Sequence, residues 1–350
     1  MLKYWKYCGC NNNMRLCIVR DPKRGIDYGY ISKMLPYLST MADVTIYDKI
    51  SYKDVKEINN SFDIVNVQYP ANKIFRNSIL NHLYFLFLFR RLKIKKTITT
   101  HGFVTKESNR YLGIIAPIYY RLLFKHTKVI VLSELQKKFL NQYQIKNVVV
   151  IPLGCNDCNY NMKKEKGVIF FHGFIRKSKG IEILIKAVKK LLNEGYSVYL
   201  KILGSSYIGE ESYIELIKNL LEKEIYKHYE LNIGTHSEDD IAREASKSYI
   251  VVLPYIDRNI EVSGVLHTIM ACGTPVIASN TPRFVSELKG DIDACIVEPN
   301  ENAIAEGIKK LLVDKEYWKM LSINIQKKSE DYKWEHIAQM LIYELKNMQD

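Results

Sequence analysis

Short runs of β-branched and apolar residues alternate along the chain with longer stretches in which apolar residues recur every three or four positions. The short runs predict strands at 15–20, 43–48, 63–69, 96–101, 128–133 and 147–152, and again at 167–172, 197–203, 229–233, 249–255, 274–279 and 294–298. The longer stretches predict amphipathic helices. After Gly180, for example, Ile181, Leu184, Ile185, Val188, Leu191 and Leu192 fall on one face. Strand and helix in strict alternation is the pattern of βα repeats, which build parallel sheets covered by helices on both faces.

Six strands precede, and six follow, the polar, apolar-poor segment 154–167, which reads as a linker. The expected organisation is a flexible lead-in at 1–13, one α/β domain over 14–158 and a second over 159–332, each doubly wound and Rossmann-like, the two facing a cleft. The remaining residues, 333–350, predict a last helix. In open parallel sheets ligands bind beyond the carboxyl ends of strands, where helix N-termini offer free N–H groups to anions. Site residues are therefore expected just after strands.

A length of 350 residues suits two domains. With 47% hydrophobic and 25% charged residues the chain has the balance of a globular protein, and no apolar run reaches the roughly 20 residues of a membrane-spanning helix. The opening MLKYWKYCGCNNN lacks the apolar core of a secretory signal, so a cytoplasmic location is expected. Seven cysteines, an odd number in a chain this long, argue for reduced thiols over a disulfide framework. Cys8, Cys10, Cys155 and Cys158 together number the thiols a tetrahedral zinc ion would need.

Charge is unevenly distributed. Residues 1–160 carry 25 Lys and Arg against 10 Asp and Glu, and the remainder 26 against 28. A basic half steers anionic partners. Nucleic acid is not expected among them, for the chain has no aromatic–basic ribonucleoprotein pattern, zinc-finger spacing or basic zipper. The segment 82–96, HLYFLFLFRRLKIKK, joins an aromatic-rich apolar run to Arg90, Arg91, Lys93, Lys95 and Lys96. That composition fits docking on an anionic membrane surface, or a core helix with a basic end.

Three segments carry candidate chemistry. In FFHGFIRKSKG a strand ends at Gly173, a loop holds Arg176, Lys177 and Lys179, and Gly180 leads into a helix, an arrangement suited to phosphate. In EVSGVLHTIMACGTPVIAS, Ser263 suits a helix N-cap and Gly264 a tight loop that presents N–H groups to an anion. In Thr99–Thr100–His101–Gly102 an apolar strand ends in a histidine placed at a cleft mouth.

These segments, in this order, resemble family 4 of the nucleotide-sugar glycosyltransferases, which have the GT-B fold of two facing Rossmann-like domains. The resemblance extends over VVVIPLG at 148–154, LKILG at 200–204, VVLPY at 251–255, MACGTPVIAS at 270–279 and WEHIAQMLIYEL at 334–345. It implies that the last helix crosses back to the first domain, and that a sugar passes with retention from a nucleotide-diphosphate sugar to a glycan or lipid-linked acceptor. No metal or other cofactor is implied, because basic side chains neutralise the leaving diphosphate.

On the donor side the resemblance points to Gly173, Arg176, Lys179, Ser263 and Gly264, with Gly29 before an early helix as a further point of close approach. It assigns His101 to the transferred sugar. The sequence departs from the family in two places: Phe174 stands where the family commonly has arginine, and Ile260 and Thr268 stand where it has two glutamates eight apart. Glu261, one residue along, replaces the first as a catalytic residue. Thr268 takes the second position on the donor side without a carboxylate. Those departures leave two alternatives open, a non-catalytic partner with the same fold and another GT-B enzyme such as a sugar-nucleotide epimerase.

Overall fold

The computed structural model describes residues 14–20, 26–48, 50–69, 79–104 and 112–348. The predicted lead-in at 1–13 lies outside them, as do Cys8 and Cys10. Among the described residues twelve strands form two six-stranded sheets, and every pairing is parallel. The first holds β1 (Arg15–Val19), β2 (Asp43–Tyr47), β3 (Ile64–Tyr69), β4 (Lys95–Thr100), β5 (Lys128–Val131) and β6 (Val148–Val150). The second holds β7 (Glu165–Phe174), β8 (Tyr199–Ser205), β9 (Tyr229–Ile233), β10 (Ser248–Leu253), β11 (Val276–Ser279) and β12 (Cys295–Val297). All lie within two residues of the ends the pattern predicts.

The chain divides into two compact units, one of Met1–Gly154, Asn259–Val262 and Tyr332–Asp350, the other of Cys155–Arg258 and Ser263–Asp331. In the first, strand alternation feeds two cores. Cys17, Val19, Val65, Val67, Val129 and Val131 meet the helices Ile79–Arg91 and Leu112–Phe124 on one face. Leu16, Ile18, Ile64, Ile130 and Leu132 meet the helices Ile26–Leu38 and Trp334–Lys346 on the other. A sheet buried on both faces explains strands that are apolar at successive positions. Gly154 admits no side chain because Trp334 lies against it, and Lys128 fastens the same terminal helix through Glu344 at 2.8 Å.

The segment 82–96 is not one element. The helix Ile79–Arg91 ends inside it and β4 begins at Lys95. Lys96 is drawn inward, its Nζ donating to the carbonyls of Phe89 (3.2 Å) and Leu92 (2.8 Å), and burial lowers its pKa. In the second unit the helix Ile181–Asn193 buries Ile181, Leu184, Ile185, Val188 and Leu191 as the spacing predicts, with Ala187 among them and Leu192 at the edge.

Candidate functional site

The order of the second sheet is β12-β11-β10-β7-β8-β9. Its first strand in sequence, β7, thus lies beside its fourth, β10, and connections run outward from that pair in opposite directions. This is the strand order whose switch point opens a ligand crevice at the carboxyl ends of the two central strands. The loop Phe174–Gly180 leaves β7 there, and Pro254 and Tyr255 leave β10.

Backbone contact joins the two loops. Gly180 has φ +66°, and a Cβ on it would run into the Pro254 carbonyl oxygen. Only glycine lets the helix Ile181–Asn193 start this close to β10. Ile256 N–H donates to the Ser178 carbonyl at 3.0 Å and completes the junction.

Three cations gather on this junction. Lys179 is 6% exposed, with Nζ 3.4 Å from the centre of the buried Tyr255 ring. Arg283, on the short helix after β11, places its guanidinium 5.4 Å from the same ring and pairs with Asp257 at 2.9 Å. Arg176 stacks 5.3 Å over Tyr207, which also meets Phe174 edge to face. Burial raises the Tyr255 pKa, so its hydroxyl stays protonated among these charges. The Nε atoms of Arg176 and Arg283 and the hydroxyls of Ser178, Ser279 and Thr281 are buried without a hydrogen-bond partner in the chain. Buried polar groups in folded proteins are ordinarily paired. These lie on the loops after β7 and β11 or at the end of β11, and they equip that edge to accept an anion.

Ser263 caps the helix Gly264–Ile269 as expected, its Oγ accepting from Leu266 N–H at 3.4 Å. Gly264 differs from the expectation of a tight loop: it is exposed, and a Cβ there would meet nothing within 4 Å. Thr268 turns its hydroxyl back to the Gly264 carbonyl at 3.0 Å. The carboxylate missing at 268 has a neighbour of another kind, the buried His267, whose Nε2 lies 3.2 Å from Glu287. Gly173 sits at the end of β7 with φ +146°. One residue before it, His172 donates from Nδ1 to the Leu203 carbonyl at 2.8 Å, and burial pulls its pKa down to about 4.

In the first unit His101 follows β4, but it does not stand at an open mouth. It is 6% exposed, Nε2 donates to Gln68 Oε1 at 2.8 Å, and the ring meets Tyr30 edge to face at 5.1 Å. Gln68 in turn donates to Asn66, which donates to Thr97 (2.8 Å) and Thr99 (3.0 Å). This ladder holds the imidazole in the tautomer whose Nδ1 is the acceptor. Gly29 lies inside the helix Ile26–Leu38 rather than before it, with open space where a Cβ would be. Glu261 is half-buried within the 259–262 segment of the first unit, next to Ile260, which packs on that unit's core.

The structure thus brings Gly173, Arg176 and Lys179 to one end of the second sheet, whereas His101, Glu261 and Gly29 belong to the other unit. Tyr255, Arg283 and the His267–Glu287 pair are functional candidates that the motifs do not single out. The first two are within reach of sequence reasoning, because PY after β10 and TPR after β11 follow the same strand-end rule that finds Lys179. Among the described residues no three His, Cys, Asp or Glu side chains are grouped to hold a metal ion.

Comparison with known proteins agrees with this picture. Residues 158–328 match the family model of the glycosyl transferases group 1. An uncharacterized glycosyltransferase of Methanocaldococcus jannaschii is 28% identical over 179 residues, 51% of this chain and 44% of its own length, so the match spans less than half of that relative. The solved structure of Anabaena HepE in complex with UDP superposes with a TM-score of 0.76 at 15% identity, over 96% of this chain and all of that one. Sucrose-phosphate synthase from Thermosynechococcus elongatus gives 0.74 at 16% identity, over 95% and 98%. At such identities the likeness establishes the fold, which is GT-B.

Proposed function

Taking residues 158–328 as a group 1 glycosyl transferase domain, we propose that the chain moves a sugar, with retention, from a nucleotide-diphosphate sugar to a glycan or lipid-linked acceptor. The observation that carries this reading is the convergence of Arg176, Lys179 and Arg283 on the switch point between β7 and β10. A diphosphate there takes charge-assisted bonds from the cations, each worth about 1.5 to 3 kcal/mol. The same cations stabilise the nucleoside diphosphate as it leaves, a role that requires no metal. Exposed Gly264 leaves room for phosphate or sugar beside the Ser263 cap. HepE was solved with UDP and with UDP-glucose, which makes uridine nucleotides the first donors to try. His101 acts on the transferred sugar and Glu261 beside it in the chemistry.

A lipid-linked acceptor is supported by the surface of the first unit. Leu80, Leu83, Tyr84 and Phe87 are exposed at helical spacing on Ile79–Arg91, and Ile114, Ile115, Ile118 and Leu122 on Leu112–Phe124. Arg90 ties the two helices through the Leu122 carbonyl at 3.2 Å. An apolar face rimmed by Arg90, Arg91 and Lys93 matches an anionic lipid surface, so the reading includes peripheral attachment to the cytoplasmic face of a membrane. Among the described residues no helix is long and apolar enough to cross one.

The donor assignment is tested by thermal shift with nucleoside diphosphates and their sugar conjugates, wild type against Lys179→Met, which keeps the stem on Tyr255 and removes the charge. A nucleotide sugar at about 100 times its Kd stabilises the wild type by about 2.7 kcal/mol, and the variant loses that shift. No shift with any donor favours the non-catalytic partner. A donor shift followed by inversion of configuration at one carbon of the sugar, without transfer, favours the epimerase.

A further inference from the structure

Away from the switch point, the segment between Cys155 and β7 passes the turn that precedes β11. Tyr160 anchors it by donating to Asp239 at 2.6 Å. Cys158 lies 3.0 Å from the Ser246 hydroxyl, and nearby the Cys272 thiol donates to the Ala242 carbonyl at 3.6 Å. Lys164 donates from Nζ to the Cys272 carbonyl at 3.2 Å and to the Thr274 hydroxyl. Cys272 closes the turn Met270–Cys272, and Gly273 after it is held by the Ser322 hydroxyl at 2.5 Å. These groups line a pocket of about 420 Å³ whose wall includes Cys158, Lys164, Ser246, Cys272, Ser322 and Gln326. None of this chemistry is needed for sugar transfer.

We propose that Cys158 and Cys272 are a redox-active thiol pair, in which Cys158 is the residue oxidised by peroxide and Cys272 resolves the product into a disulfide. The roles differ because the surroundings differ. Cys158 is half-buried on the pocket wall, whereas Cys272 is 7% exposed. The Cys272 thiol, the Ser246 hydroxyl, the Tyr160 N–H and the Lys164 charge favour the thiolate, outweigh burial and draw Cys158 below the ordinary thiol range. The neighbouring Cys158 and burial push the Cys272 thiol up, so it keeps its proton, which it donates to the Ala242 carbonyl. Lys164, brought down to about 8 by burial, is still charged at neutral pH beside the thiolate.

The Cys158 thiolate attacks one oxygen of a hydroperoxide and breaks the O–O bond, giving a sulfenic acid and a leaving oxyanion that takes up a proton. The Cys272 sulfur then attacks the sulfenic sulfur. An S–S bond forms, the S–O bond breaks, and the thiol proton leaves with the hydroxyl as water. Two thiols and one hydrogen peroxide become one disulfide and two waters. The bridge ties the 155–164 segment to the end of the turn that continues the Ser263-capped helix.

The test uses the full chain and no substrate, so it is independent of the donor assignment. The native protein is treated with hydrogen peroxide, digested without reduction and mapped by mass spectrometry. A peptide linking Cys158 to Cys272, lost on addition of dithiothreitol, is the expected result. Native alkylation with iodoacetamide should consume Cys158 about 10-fold faster than Cys17, whose thiol burial pushes up to about 12. In Cys272→Ser, peroxide should leave Cys158 as a sulfenic acid captured by dimedone, and Cys158→Ser should give neither product. Both cysteines remaining free after peroxide, Cys158 bridged to another cysteine, or alkylation of Cys158 no faster than Cys17 would overturn the pair. The wild-type measurements decide the matter even if a variant fails to fold.

Discussion

Both sheets are six-stranded and parallel, yet they handle polar groups in opposite ways. In the second, polar and charged residues collect on loops beyond the strand ends, where Lys179 and Arg283 lie against Tyr255, Arg176 lies over Tyr207, and several buried donors have no partner in the chain. In the first, they run through the sheet itself, from Thr97 and Thr99 through Asn66 and Gln68 to His101, each bonded to the next. A ladder that satisfies itself positions a side chain. A set of groups left open is equipped to receive a ligand. One architecture therefore arranges its polar groups in two ways, closed among themselves in one sheet and left open beyond the strand ends of the other.

The contrast is broken most severely at the two glycines of the second unit. Gly180→Ala forces a Cβ into the Pro254 carbonyl at φ +66°, and should lower the unfolding free energy by about 3 kcal/mol in denaturant titration. Gly264→Ala meets open space and should leave that free energy within about 0.5 kcal/mol while weakening donor binding. Equal losses of stability would show that Gly264 is structural and that the loop beside it is not kept open for a ligand.

Acid provides the next test. His172, neutral and donating to Leu203, has a folded pKa near 4 against 6.5 for the free side chain. Its contribution is complete above 6.5, where folded and unfolded forms are both neutral. It is lost as pH falls toward 4, because the unfolded chain takes up the proton first. Between pH 7 and 4 that loss is on the order of 2 to 3 kcal/mol. His172→Gln keeps a donor for the Leu203 carbonyl without titrating, so stability measured by denaturant at both pH values should fall less in the variant. An unchanged slope would assign the acid sensitivity elsewhere.

Much of this architecture is legible in the amino-acid sequence. Short β-branched and apolar runs locate all twelve strands; a doubly covered sheet buries nearly every residue of central strands such as β3 and β10, whereas the edge strands β2 and β9 are only partly covered. Lys179 and Gly180 are legible because the loop after β7 is contiguous in sequence. The ladder behind His101 is not, since Gln68 and Asn66 lie on β3 and reach His101, Thr97 and Thr99 only through strand register. Gly29 is misplaced by sequence reasoning because the glycine reads as preceding the early helix, whereas the helix begins three residues earlier. The segment 82–96 reads as one element, a membrane-docking surface or a core helix with a basic end, because its basic residues are adjacent in sequence, although Lys96 belongs to the strand that begins at Lys95 and turns its Nζ to the carbonyls of Phe89 and Leu92.

The ladder can be set against the open groups by one substitution in each unit. Gln68→Leu removes the acceptor for His101 Nε2–H and the donor to Asn66 Oδ1, breaking the ladder between them, and should destabilise by about 1 to 3 kcal/mol while reducing turnover. Thr281→Val removes a buried hydroxyl that had no partner and should change stability by less than about 0.5 kcal/mol. Comparable costs in thermal melts would mean that the Thr281 hydroxyl is satisfied within the fold and plays no part in receiving an anion.

The smallest expected effect concerns the exposed helices of the first unit. If Leu83, Phe87, Ile115 and Ile118 rest on lipid, Lys93 at the rim adds about 1 kcal/mol of attraction to anionic headgroups, or roughly a 5-fold change in partition. Lys93→Gln should therefore lower co-sedimentation with phosphatidylserine vesicles by that factor at low salt and leave the melting temperature where it was. The difference should shrink as ionic strength rises, since the screening length falls to about 10 Å at 0.1 M. Phosphatidylcholine vesicles separate the two contributions: binding there should be weak and the same for both proteins. Wild-type protein that fails to sediment with anionic vesicles would remove the lipid from this face and leave the exposed apolar residues for a protein partner.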